Sequence, residues 1–115
     1  MPLPMNRSLS IYQGDTFALR FRLRSKDEAG VVTPIDLTDA TVEAEIRNKE
    51  GDVVLATFNA QLTNAVQGEV GLTLTPDQTA DLSENGIWDV QVTYPDGTVT
   101  TYLRGTVSVK KQVTA

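Results

Sequence analysis

The strongest constraint on the fold is an alternation of apolar and polar side chains over residues 16–24. A period of two is typical of a β-strand with one buried face and one solvent-facing face. Three arginines fall on the polar side of this strand, which is therefore strongly cationic. The apolar side consists of Phe17, Leu19, Phe21 and Leu23.

The same alternation recurs along the chain, in a short first segment at residues 8–12 and in residues 42–46, 54–60, 70–74, 88–94 and 99–109. Turn sequences separate these segments every eight to twelve residues or so, and residues 42–46 and 54–60 predict a hairpin. We predict an all-β chain, an antiparallel immunoglobulin-like β-sandwich of about seven strands. Tyr102 breaks the parity of the last strand, which indicates a bulge near Gly105.

One short helix is predicted near residues 76–83. Thr75 is a suitable N-cap, Pro76 suits the first helical position, and Asn85-Gly86 would end the helix. Leu82 is its expected core contact. A length of 115 residues fits a single domain spanning residues 1–115, with residues 1–7 as an N-terminal arm.

Composition removes several classes of function. The chain has no His and no Cys, which excludes thiol and imidazole catalysis and the usual zinc ligands. Its formal net charge of -5 argues against nucleic acid as a partner. No apolar run is long enough to span a membrane. We therefore predict a protein that is not an enzyme, with no cofactor, metal or membrane contact.

The order of four segments resembles the N-terminal domain of bacteriophage baseplate upper proteins and related small virion proteins of tailed phages. The resemblance covers roughly residues 8–110. It is carried by Gly14-Asp15-Thr16, by residues 34–42 (PIDLTDATV), by residues 68–75 (GEVGLTLT) running into a short helix, and by residues 86–92 (GIWDVQV) with the following Pro-Asp-Gly turn and long final strand. It implies a β-sandwich that attaches a larger protein to the phage tail. The longer members continue into receptor-binding regions, so we expect attachment or decoration here and not receptor binding.

The arginine stripe of Arg20, Arg22 and Arg24 is the most distinctive candidate site. It could dock on an acidic partner. The alternative is that the arginines pair across the sheet with Glu43 and Glu45, which lie outward on a later strand.

Other candidate contacts are two tyrosines on polar parities, Tyr12 and Tyr102, and an arm containing Pro2 and Pro4 that could lie across a neighbour. Trp88 shares the apolar face of its strand, so we interpret it as a core residue and not as a sugar-stacking platform.

Carboxylates offer a weaker candidate. Asp36 and Asp39, with Asp27 and Glu28 upstream, could supply oxygen ligands to Ca²⁺. Without regular ligand spacing, local turns in which Asp36 and Asp39 bond to nearby backbone explain them better.

The predicted function is that of a structural protein of a tailed-phage virion, located in the particle after synthesis in the host cytoplasm. Its predicted role is assembly or attachment in the tail, baseplate or neck. Its partners would be other virion proteins and further copies of itself in a symmetric assembly. Capsid decoration is the nearest alternative, and a carbohydrate-binding module is an alternative from another class.

Overall fold

The computed structural model describes residues 5–111, which form eleven strands and one helix. In chain order these are β1 (Met5–Asn6), β2 (Leu9–Tyr12), β3 (Phe17–Arg22), β4 (Arg24–Lys26), β5 (Val32–Pro34), β6 (Thr41–Arg47), β7 (Val54–Thr57), β8 (Asn59–Asn64), β9 (Glu69–Leu74), α1 (Pro76–Ala80), β10 (Gly86–Thr93) and β11 (Val99–Lys110).

The strands form two main layers of unequal width. A six-stranded sheet has the order β1-β11-β10-β6-β7, with β2 also paired to β11, and a three-stranded sheet has the order β3-β9-β8. All pairings are antiparallel except those of β1 and β2, which run parallel to β11. The predicted all-β sandwich is confirmed. Eleven strands are observed where about seven were predicted, because two of the predicted strands each divide in two and because β1 and β5 were not predicted.

The core lies between these layers. Trp88, Val90 and Val92 from β10 are buried opposite the buried side chains of β9, because alternate residues of both strands face inward. The Trp88 ring makes an edge contact with Phe58. This burial confirms Trp88 as a core residue.

The first alternating segment is not one strand. It splits at Leu23 into β3, in the three-stranded sheet, and β4, in a separate hairpin with β5. The Leu23 amide donates to the Gly68 carbonyl and its own carbonyl accepts from Ile35, so Leu23 is the branch point. Gly68 has φ +69°, and a β-carbon there would collide with the Leu23 carbonyl oxygen.

The predicted hairpin is confirmed as β6 and β7, but its second strand also divides. Phe58 is buried at the corner, and the chain continues as β8 in the other sheet. The period of two continues through both corners, which is why the sequence pattern alone did not reveal them.

The helix is shorter than predicted. Thr75 is the N-cap and forms a capping box with Gln78, but the helix ends at Ala80 with Asp81 as its C-cap. The expected end at Asn85-Gly86 is therefore wrong, and Gly86 instead begins β10. Leu82 is buried in the core, as predicted.

The last strand does contain a bulge, but at Tyr102 and not near Gly105. Val90 pairs with Leu103 while Gln91 pairs with Thr101, so Tyr102 is the extra residue. Gly105 has another role, since a β-carbon there would collide with the carbonyl oxygen of Arg7.

Candidate interaction surface

The strand β3 has an unpaired edge. Within the described residues it pairs only with β9. The Leu23 amide donates to the Gly68 carbonyl, and this pair continues the register of β3 and β9 by one residue. Because hydrogen-bonded pairs alternate along an antiparallel ladder, the amides and carbonyls of odd-numbered positions in β3 face β9. Those of Ala18, Arg20 and Arg22 face away from β9 and are oriented to pair with a further strand.

The arginine stripe pairs with a different carboxylate from those expected. The Arg22 Nε atom lies 3.0 Å from a carboxylate oxygen of Glu69, and the Arg20 Nε atom lies 3.9 Å from the other. Arg22 and Glu69 face each other across β3 and β9 in a position where side chains approach closely. The prediction of cross-strand pairing with Glu43 and Glu45 is wrong, because both lie on β6 in the other sheet.

Glu69 is held as a carboxylate by several donors. The Thr63 hydroxyl donates to it over 2.8 Å, and Arg22 donates over 3.0 Å. These bonds lower the pKa of Glu69 below its ordinary value, with Thr63 contributing most. One carboxylate therefore serves two arginines.

The fold brings further cations to this edge. Arg7 and Lys26 join Arg22 and Arg24 around an open groove of about 540 Å³ between β1 and the β3–β4 segment. A shallower depression shares three of these arginines and adds Arg20 and Glu69. We call the two together the cationic groove. Its apolar wall comprises Met5, Phe21, Leu23, Ile35, Tyr102 and Leu103.

The charge of the groove is opposite to that of the molecule. Five of the chain's 10 Lys and Arg line it, whereas Glu69 alone represents the 15 Asp and Glu. Among residues 5–111, no carboxylate lies within ion-pair distance of Arg7, Arg24 or Lys26. A chain with a net charge of -5 thus carries one concentrated positive surface.

Sequence reasoning missed Arg7 and Lys26 as members of this surface. Arg7 directly follows β1, and its amide donates to the Arg104 carbonyl over 2.8 Å, which holds Arg7 beside β11. No local pattern indicates that contact. Lys26 lies in a polar stretch, residues 25–28, where apolar and polar side chains no longer alternate, so no sequence pattern placed it on a strand.

The two candidate tyrosines lie far apart. Tyr102 lines the groove and is half-buried, with its hydroxyl bonded to that of Tyr94. Burial, followed by that bond, raises the pKa of Tyr94. Tyr12 is 56% exposed, and it pairs with Lys110 at the C-terminal end of β11, well beyond Tyr102 along that strand. Pro2 and Pro4 lie outside the described residues, while Met5 and Asn6 pair with β11.

Two of the four carboxylates suggested as Ca²⁺ ligands accept hydrogen bonds from nearby residues. Asp36 accepts from the amide and hydroxyl of Thr38, which lowers its pKa, and Asp27 accepts from the Val31 amide. Asp39 has φ +64° at a turn. The turn interpretation is confirmed for Asp36. Within the described chain, no three His, Cys, Asp or Glu side chains are grouped so that they could hold a metal ion.

A second charged site lies on the outer face of the six-stranded sheet. Asp89 faces Glu45 on one side and Arg104 on the other, and Glu45 pairs with Arg47 at 3.1 Å. Partial burial, followed by the nearby Glu45, raises the pKa of Asp89. This face carries both signs of charge, so it lacks the one-sided character of the cationic groove.

Comparison with known proteins adds one family. Its sequence model, described as "LtfC-like, beta-sandwich domain", matches residues 4–110 and agrees with the observed fold. No curated protein matches the chain significantly. The resemblance to baseplate upper proteins is not confirmed by this match and stays a prediction. Over residues 5–111 the fold has no helix with the length and apolar character needed to cross a bilayer.

Proposed function

The chain belongs to the LtfC-like β-sandwich domain family, and we propose that it is a non-enzymatic structural module of a tailed-phage virion. It works by attachment and assembly in the tail, baseplate or neck, through contacts with other virion proteins and with copies of itself. The observation that carries this proposal is the cationic groove beside the unpaired edge of β3.

An assembly role accounts for an exposed surface of this kind. An exposed strand edge readily pairs with other chains, and proteins that stay monomeric usually cover or block it. Here the edge is flanked by an apolar wall and by cations without carboxylate partners in the described chain. Backbone groups, apolar surface and charge together form a docking site for a protein segment.

The phage assignment is supported by the order of the sequence motifs and is compatible with the family. It is tested by copy number per particle, measured by quantitative mass spectrometry on purified virions. A small multiple of three, five or six supports the tail, baseplate or neck. A count in the hundreds would instead indicate capsid decoration. Absence from purified particles would overturn the virion proposal.

A carbohydrate-binding module remains the alternative from another class, and it makes a separate prediction. Such a module needs an exposed aromatic platform, and Tyr12 is the exposed aromatic side chain among the described residues. Glycan-array binding that is lost in Tyr12→Ala and kept in Arg24→Glu would favour this alternative over attachment through the groove.

A further inference from the structure

The two lateral sides of the sandwich have complementary characters. One side is formed by β1 and β3 and carries the cationic groove. The opposite side is formed by β7 and β8, the other end strands of the two sheets. Both sides end in strands that, within the described chain, have one neighbour each.

Both sides expose apolar surface, but the charged residues on the β7 side are mainly acidic and those on the β3 side are mainly basic. Val53 and Val54 are 51% and 43% exposed, although both are large apolar residues at a strand. Glu50 and Asp52 precede them, and Glu84 lies beside Glu50 and Lys49 in a neighbouring depression. We call this surface the acidic edge; it has the three carboxylates of Glu50, Asp52 and Glu84 and the ammonium group of Lys49. The Arg47 guanidinium also reaches this turn, where it donates to the Gly51 carbonyl over 3.1 Å, but its charge is paired with Glu45.

We propose that the cationic groove of one copy receives the acidic edge of a second copy, head to tail. The open groups of β3 would pair with the outer edge of β7 before Thr57, whose carbonyl already accepts from the Gln78 side chain over 3.0 Å. The exposed valines would cover the apolar wall, and Glu50 and Glu84 would face Arg24 and Lys26. The contact joins different surfaces, so it leaves one groove and one acidic edge free and can extend into a ring or a filament. This inference rests on the proposed assembly role and names its partner.

A peptide edge fits this site better than nucleic acid does. Unpaired amides and carbonyls of Ala18, Arg20 and Arg22 can form a ladder only with another peptide strand. A polyanionic backbone would also meet the net negative charge of the rest of the chain. The exposed valines of the acidic edge supply apolar surface that phosphate groups lack.

The test uses two charge-reversal variants of the isolated protein. Arg24→Glu with Lys26→Glu alters the groove, and Glu50→Lys with Glu84→Lys alters the acidic edge. All four residues are exposed, and none takes part in a side-chain hydrogen bond or ion pair among the described residues. Lys110→Glu with Lys111→Glu is the matched control for the groove variant, because it makes the same charge change at the C-terminal end of β11, outside the groove. Far-UV circular dichroism checks that each variant is folded.

Sedimentation velocity across protein and salt concentrations provides the measurement. The wild type should associate, and added salt should weaken that association. Each double variant should bind itself at least about tenfold more weakly, because like charges then meet at the contact. The lysine control should behave as the wild type does.

Mixing the two double variants gives the decisive result. The groove variant keeps a native acidic edge and the edge variant keeps a native groove, and the two reversed surfaces are again opposite in charge. An equimolar mixture should therefore regain association, in assemblies that contain both variants in equal numbers. A monomeric wild type, an effect of only one variant, or no association on mixing would each overturn the proposal. So would a monomer that binds an oligonucleotide through Arg24 and Lys26. None of these outcomes alters the particle copy number, which tests the virion role separately.

Discussion

The strands β3 and β9 are hydrogen-bonded neighbours in the three-stranded sheet, but they bury their inward side chains to different extents. Val70, Leu72 and Leu74 of β9 are at most 1% exposed, whereas Phe17, Leu19 and Phe21 of β3 are only half-buried. The residues match in register, since Leu19 faces Leu72. The difference arises because β9 has neighbours on both sides and β3 has one. Incomplete burial of the inward side chains therefore reflects the position of β3 at the edge of its sheet.

The largest expected effect tests this contrast at one cross-strand pair. Leu72→Ala should lower the free energy of unfolding by about 3 kcal/mol, because it leaves a cavity in the closed part of the core. Leu19→Ala removes the same atoms beside solvent and should cost about 1 kcal/mol. Urea unfolding followed by circular dichroism measures both. Equal losses would contradict the difference between the two strands.

The next effect concerns Gly105 in β11, where the strand packs closely against the backbone of Arg7. Gly105→Ala should lower the free energy of unfolding by about 2 kcal/mol, because the new methyl group collides with the Arg7 carbonyl. Hydrogen exchange should also speed up at the Arg7 amide, which bonds to Arg104. Ser108→Ala in the same strand is the control, with a change within about 0.5 kcal/mol. Unchanged exchange at Arg7 would show that Gly105 does not govern this contact.

A smaller effect is expected where the chain enters β3. The buried Thr79 hydroxyl accepts from the Gly14 amide at 3.0 Å and donates to the Asp15 carbonyl at 2.7 Å. Thr79→Val keeps the shape and removes both bonds, so we expect a loss of about 1.5 kcal/mol. Thermal unfolding measures it, and amide exchange in β3 should rise more than in β10. A uniform rise across both strands would argue against a local role.

The smallest effects compare two carboxylates with opposite pKa shifts. The pKa of Glu69 is lowered in the folded state, so its ionised form stabilises the fold above the unfolded value near 4.5, and this contribution is lost as the pH falls through the folded pKa. The pKa of Asp89 is raised, so ionisation costs stability as the pH rises above the ordinary value near 3.8.

Denaturant unfolding from pH 3 to 7 distinguishes the two groups. Glu69→Gln should lower the free energy of unfolding at neutral pH and have less effect in acid. Asp89→Asn should raise it at neutral pH by a few tenths of a kcal/mol, since solvent screens this partly exposed group, and change little in acid. The same sign for both variants would contradict the assigned environments.

The sequence predicted strands more reliably than it predicted their partners. Alternation in residues 16–24 correctly placed Arg20 and Arg22 on a solvent-facing strand, because side-chain parity is a local property. It could not reveal that Leu23 ends the strand, since that change depends on Gly68, which is distant in sequence. Glu69 was missed as the partner of the arginines for the same reason: strand pairing is set by long-range topology.

The candidate surface shows the same difference between local features and features that depend on long-range contacts. The arginine stripe was visible in the sequence, but the groove required Arg7 to reach it through β1. Conversely, Asp36 was correctly interpreted, because its partner Thr38 is two residues away. Features confined to a few residues could thus be predicted, and those that join separate segments needed the fold.

The hydrogen bond from Trp88 gives the protein an intrinsic optical probe. Its indole nitrogen donates to the Arg7 carbonyl over 2.8 Å, and Trp88 is the only tryptophan in the chain. Indole fluorescence responds to the polarity and hydrogen bonding around the ring. Emission from this single fluorophore therefore reports on the backbone that carries one arginine of the groove. Docking of a partner there can be followed by tryptophan fluorescence in unlabelled protein.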